Sequence, residues 1–136
     1  MNIPNERGGF VVGHGLDVVD LADFARLLIE PARSFLDRHF TDAERADSGG
    51  GVNETEKLAG RFAVKEAVMK ALGVGWGDGV AFTDVEVVTL ESGAPTVLLR
   101  RKLIELQQKK KIGGWLVSVS HTGKIAIASV IAVGDV

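Results

Sequence analysis

The chain has 136 residues, no cysteine, 17 glycines and a formal charge of −2. That length fits one domain, residues 1–136, because a chain of this size buries roughly two-thirds of its unfolded surface and needs no staple. The absent cysteines exclude a disulfide framework, a thiolate metal site and a cysteine nucleophile, and the near-neutral balance gives nucleic acid no electrostatic footing.

In chain order, Met1 to Gly9 is polar, carries Glu6 and Arg7, and lacks the apolar stretch of a signal peptide. Phe10 to Val19 reads as a strand, and Asp20 caps a helix through about Ile29 that Pro31 stops. Pro31 to Leu36 opens a short second helix, and Thr41-Asp42-Ala43-Glu44 has the spacing of a capping box for a third. Ser48-Gly49-Gly50-Gly51 is the one loose stretch. The longest helix starts near Asn53-Glu54-Thr55-Glu56, again a capping-box pattern, and ends at Leu72 with Gly73 as its C-cap. Phe82–Leu90 and Thr96–Leu99 read as strands joined by a Ser92-Gly93 turn. Arg100 to Lys111 is a charged helix whose lysines suit the negative end of its dipole. Trp115–Ser120 and Ile125–Val133 then form a hairpin across residues 121–124. Separated helices and mostly antiparallel strands make the class α+β: an antiparallel sheet packed on one long helix plus shorter helices. Ile125–Val133, the longest late run without charge or glycine, is nine residues and far short of a membrane span. A cytoplasmic protein with no membrane partner is the expectation.

Three places can carry chemistry. On the first strand the period of two puts Val11, Gly13, Gly15, Asp17 and Val19 on one face and Val12, His14, Leu16 and Val18 on the other. Bare backbone beside one carboxylate suits a ligand with Asp17 holding a hard cation or a proton; it equally suits a glycine-rich bulge with Asp17 bonding nearby amides. On the long helix, Leu58, Phe62 and Met69 share a stripe, with Glu66 between Phe62 and Met69. A carboxylate there needs a compensating cation or hydrogen bonds. Lys70 stands four residues after it in the favourable order, and Arg61 and Lys65 are a second, like-charged pair at the same spacing. This basic helix could receive an anion, or be a solvated edge with an ordinary ion pair. At the hairpin, Ser118 or Ser120, His121 and Asp17 formally supply a Ser/His/Asp set, but no G-x-S-x-G elbow accompanies them.

Taken together, Gly13-His14-Gly15-Leu16-Asp17-Val18-Val19-Asp20, the run Gly60 to Gly73 and Val117-Ser118-Val119-Ser120-His121 resemble the small phosphopantetheinyl transferases of the holo-acyl-carrier-protein synthase type. The middle run, R-F-x-x-K-E-A-x-x-K-A-x-G, is the specific one. Phe40-Thr41, Glu44 and Gly93-Ala94-Pro95 extend the match in the same order over nearly the whole chain.

The resemblance implies that family's fold and a Mg²⁺-dependent transfer of 4′-phosphopantetheine from coenzyme A to a serine of an apo acyl carrier protein, releasing adenosine 3′,5′-bisphosphate. It implies Asp17 and Glu66 as metal ligands, Glu66 and Lys70 as catalytic residues, and Arg61, Lys65, Lys70, Gly73, Ser120 and His121 as coenzyme A contacts. Glu66 is the candidate base for the acceptor serine, with Asp17 its rival. Gly13, Gly15, Gly73 and Gly75 become places where backbone approaches a phosphate-bearing ligand. The resemblance also implies a homotrimer with active sites between subunits. It departs at Asp23, where family members carry a basic residue for docking the acidic carrier; Arg26, Arg33 and Arg38 are the substitutes. His14 stands at a variable position and is given no role. A Mg²⁺-dependent nucleotide pyrophosphate hydrolase and a non-catalytic carrier- or nucleotide-binding module are the competing readings. The first would turn over coenzyme A without a carrier; the second would bind without turnover.

Overall fold

A computed structural model describes residues 11–29, 32–77 and 79–135. The readings that fall on Phe10, on Pro31 and on the side chain of Arg33 lie outside the described residues. Strand β1 (Val11–Asp20) is followed by helices α1 (Leu21–Ile29), α2 (Ala32–His39), α3 (Asp42–Ser48) and α4 (Glu54–Leu72). After a single 3₁₀ turn at Phe82–Asp84 come β2 (Val85–Thr89), β3 (Pro95–Leu99), α5 (Lys102–Lys109), β4 (Ile112–His121) and β5 (Ile125–Gly134). The strands form two antiparallel sheets, β1-β5-β4 and β2-β3. The α+β class holds, with its strands divided between the two sheets.

Helix α4 is the spine of the molecule. Its Ala63, Val64, Ala67 and Val68 are fully buried in a core shared with Ala128, Val130 and Ala132 of β5 and Val85 of β2. Each buried valine contributes on the order of 1.5–3 kcal/mol on leaving water and each alanine methyl less, and together they outweigh the helix's weak overall amphipathicity. A second cluster, built on Phe24, Phe35, Phe40 and Leu58, packs α1 and α2 against the start of α4.

The caps follow the sequence in part. At α3 both halves of the capping box form: Thr41 Oγ1 accepts from the Glu44 amide (3.1 Å) and Glu44 Oε1 accepts from the Thr41 amide (2.8 Å). Asp20 Oδ1 accepts from the Asp23 amide at 2.9 Å and so caps α1. Gly73 ends α4 with φ of 73°, the left-handed conformation that glycine adopts freely. The box expected at Asn53 does not form, because Asn53 makes no side-chain cap bond there. Glu54 instead accepts from the Gly50 amide at 2.9 Å, and Glu56 faces His121.

Two strand limits also move. Residues 82–84 turn instead of extending, because Asp84 accepts from the Ala81 amide (2.9 Å) and from Arg101 (2.7 Å). Strand β4 begins at Ile112, three residues earlier than expected, because Ile112 and Gly114 pair with Gly134 and Val133 across a bulge at Gly113.

Candidate functional site

Gly13, Gly15, Asp17 and Val19 of β1 face α4, a run that starts only after an irregularity between Val11 and Gly13. A Cβ built on Gly15 would lie 1.8 Å from the Ala67 carbonyl oxygen, and one on Gly13 would lie 2.0 Å from that of Ala71. These two glycines therefore exist for helix–strand contact, which corrects the expectation that they leave room for a ligand. The close approach carries Asp17 to the C-terminal half of α4.

There Lys70 Nζ donates to Asp17 Oδ1 at 3.1 Å and to the Leu16 carbonyl at 2.8 Å. The Asp17 side chain is 16% exposed and that of Lys70 55%. Glu66 sits half-buried one helical turn before Lys70. Burial pushes its carboxyl above the usual range; the Asp17 charge adds to that, while the Trp76 indole and Lys70 oppose it. The Trp76 indole nitrogen is itself buried, outside hydrogen-bonding geometry with any acceptor, and its ring stacks on Phe82 at 3.8 Å. Asp17, Glu66 and Lys70 thus converge: two carboxylates that repel each other and one tethered ammonium.

Arg61 and His121 lie elsewhere. Arg61 and Glu66 are five residues apart, about 140° round the helix, so they occupy opposite flanks of α4. Their strands differ too. Asp17 pairs with Ala128 on one side of the central strand β5, and Val119 pairs with Ala128 on the other. Val119 in turn meets α4 at Gly60. The helix crosses the sheet diagonally, from β4 at its N-terminal half to β1 at its C-terminal half.

Beside β4 it leaves a groove of about 540 Å³, lined among others by Lys57, Arg61, Thr89, Val119 and His121. Asp47 anchors Arg61 and also accepts from Thr89 Oγ1 at 2.9 Å. The Arg61 Nε remains buried with no partner. His121 Nδ1 is 3.5 Å from Glu56 Oε2.

Two expected contacts with coenzyme A are placed otherwise. Lys65 is fully buried, and its ammonium donates to Glu44 Oε1 (2.8 Å), to the Phe82 carbonyl (3.1 Å) and to the Val85 carbonyl. An ammonium has three protons, so none is left for a phosphate. That corrects the reading of Lys65 as a phosphate contact: it ties α4 to α3 and β2. Burial pulls its pKa below the ordinary lysine value, with the Glu44 charge acting against that. Ser120 pairs with Ile127, whereas His121 pairs with Ala126, so Ser120 turns to the face of the sheet away from the groove. Gly73 is an exposed helix cap just beyond Lys70, with open space where a side chain would stand.

Sequence reasoning missed Glu44 as the partner of Lys65, Asp47 as the anchor of Arg61, and Glu56 and Trp76. For Lys65 a signal existed: it stands seven residues from both Leu58 and Leu72, on their stripe.

Among the described residues there is no cluster of three or more metal-ligating side chains, and no helix long and apolar enough to cross a membrane. The two carboxylates of Asp17 and Glu66 still fit a magnesium ion, which takes oxygen donors and usually binds one or two carboxylates along with water and substrate phosphates. Their mutual repulsion is the electrostatic setting a divalent ion relieves.

The 4′-phosphopantetheinyl transferase superfamily model matches residues 13–128. The chain is 41% identical over 122 residues to a holo-[acyl-carrier-protein] synthase of Frankia alni, covering 90% of this chain and 97% of that protein. It is 38% identical over 121 residues to one of Gloeobacter violaceus, covering 88% and 91%. The crystal structure of the Helicobacter pylori holo-[acyl-carrier-protein] synthase in complex with coenzyme A is similar with a TM-score of 0.77 at 29% identity, covering 89% of this chain and 99% of that one.

Proposed function

The chain belongs to the 4′-phosphopantetheinyl transferase superfamily, and from that premise we propose how its residues divide the transfer of phosphopantetheine from coenzyme A to an apo acyl carrier protein. The observation that carries the reading is the convergence of Asp17, Glu66 and Lys70 at the end of α4. Cleaving a pyrophosphate concentrates negative charge on the leaving phosphate, so the site must supply cations in fixed positions. Lys70, half-exposed and tethered to Asp17 and Leu16, is one of them. Asp17 and Glu66 would hold the magnesium ion, which when bound supplies charge neutralisation at the phosphates.

Glu66 is the base for the carrier serine. Its carboxyl, lifted by burial, sits nearer to neutral pH than an exposed glutamate, which suits a group that must take a proton. The nucleophile arrives on the carrier, so the absence of cysteine is no handicap. Arg61 and His121 hold the nucleotide phosphates in the groove beside β4, with the unpartnered Arg61 Nε as a ready donor. Arg26, paired with Asp23 on the exposed face of α1, and Arg38 are the basic residues available to an acidic carrier.

Two halves of one site on opposite flanks of α4 support an assembly in which each half meets its complement on a neighbouring copy. We take that assembly to be a homotrimer. The outer face of the β1-β5-β4 sheet supports it: Leu16, Val18 and Leu116 are 47%, 53% and 60% exposed on one apolar surface.

The direct test incubates the protein with coenzyme A, Mg²⁺ and an apo carrier protein and weighs the carrier. A gain equal to one phosphopantetheine arm is expected. Breakdown of coenzyme A at the same rate without carrier, and no mass gain with it, would overturn the transferase reading in favour of a hydrolase.

A further inference from the structure

The sheet face turned away from α4 carries an imidazole among apolar side chains. On β1 that face holds His14, Leu16 and Val18; on β5 it holds Ile127, Ser129 and Ile131; on β4 it holds Leu116, Ser118 and Ser120. His14 lies opposite Ile131, which lies opposite Leu116, and its Nε2 is 3.4 Å from Ser129 Oγ. Neither β5 nor β4 turns a titratable side chain to this face along those rows. On β1 the next is Asp20, six residues on, roughly 20 Å along the strand. Lys124 stands in the turn at that same far end, where its carbonyl accepts from the Leu21 amide at 2.9 Å. Among the described residues of the sheet, His14 therefore has no carboxylate on this face within reach to receive a proton charge.

We propose that His14 makes self-assembly of this chain pH-sensitive: the neutral imidazole packs within the interface between copies, and its protonation opens that interface. The inference rests on the reading above, that copies of the chain adjoin to complete the site. The two half-sites lie at the two edges of this one sheet, and its outer face is the open apolar surface continuous with both edges, which favours that face as the seam. In a closed cyclic assembly every copy presents the same face, so the imidazoles gather with the interface. A charged group buried without a partner is strongly disfavoured, and several like charges are worse.

The sign follows from linkage. The assembled state favours neutral His14, so assembly is fully present above the range in which histidine titrates and is lost as pH falls through it. With one proton taken up per subunit, a trimer's association constant falls by up to about a thousandfold per pH unit below that range.

The test measures molar mass by light scattering at about pH 8 and pH 5.5, in buffer containing EDTA, with far-UV circular dichroism on the same samples. It compares the natural chain with His14→Asn, which keeps a polar side chain beside Ser129, and His14→Leu, which keeps only bulk. The natural chain should be a trimer at pH 8 and dissociate at pH 5.5 with its secondary structure retained, while both variants stay assembled at both values. A natural chain that is trimeric at both values overturns the role of His14 and leaves the shared site standing. Dissociation of His14→Asn at the same pH as the natural chain also overturns it, by assigning the effect to other groups. A natural chain that is monomeric at pH 8 overturns the assembly reading, and this inference with it.

Discussion

At Lys65 three ammonium protons meet three acceptors inside the core, while its neighbour Glu66 turns to the surface and keeps an unusually basic carboxyl. The two residues are consecutive, so the helix itself sets their difference: a rotation of about 100° moves a side chain from the stripe of Leu58 and Leu72 to the flank that meets Asp17. Replacing Lys65 with alanine leaves the Glu44 carboxylate buried without its cation, and such a loss costs about 3–5 kcal/mol. Chemical denaturation should show that drop, and a denaturation midpoint equal to the natural one would refute the buried pair. Glu66→Gln should behave in the opposite way. It should abolish phosphopantetheine transfer, read by carrier mass, and leave the denaturation curve close to that of the natural chain. Transfer at the natural rate would remove Glu66 from the mechanism.

Strand β1 and helix α4 pack so closely that glycine is the only residue that fits at positions 13 and 15. Gly15→Ala would drive a methyl group into the Ala67 carbonyl, so strand and helix must part. Overpacking of this kind typically destabilises by about 1–3 kcal/mol, and more when backbone is the obstacle. Because Asp17 rides on the same strand, activity should fall more than stability in this variant; thermal melts alongside transfer assays would separate the two.

The β2-β3 hairpin is held differently, by carboxylates. Thr41 and Arg100 hold the Glu86 carboxyl below the usual range, and Thr89 and Arg61 do the same for Asp47. A depressed carboxyl stabilises the fold above its unfolded pKa of about 4, and that stability disappears as pH drops through the lower folded value. Glu86→Gln should therefore flatten the acid limb of a stability-against-pH curve measured by urea unfolding. An acid limb as steep as that of the natural chain would argue against the hydrogen bonds from Thr41 and Arg100 as its source.

For the molecule as a whole, the decisive feature is that Asp17, Glu66 and Lys70 lie on one flank of α4 and Arg61 and His121 on the other, the two half-sites of the proposed assembly. Mixing an Asp17→Asn chain with an Arg61→Ala/His121→Ala chain, after dissociation and reassembly, should restore activity that neither has alone. Random pairing of halves from the two chains rebuilds about a quarter of the sites. No recovery on mixing would locate the complete site within single chains.

Much of this was written in the sequence by itself. Local signals gave the order of elements and the end of the spine at Gly73, because those are matters of nearby hydrogen bonding and backbone conformation. The run from Arg61 to Gly73, with Asp17, carried the family resemblance and so pointed to the candidate site. What only the tertiary structure decided was the side on which each of them acts. Lys65 and Arg61 look alike in sequence, yet one is enclosed by Glu44 and two carbonyls and the other lines a groove. Gly13 and Gly15 read as room for a ligand until a helix is laid against them. The reason is physical: desolvation and contact depend on what packs around a side chain, and those neighbours come from strands and helices far away along the chain.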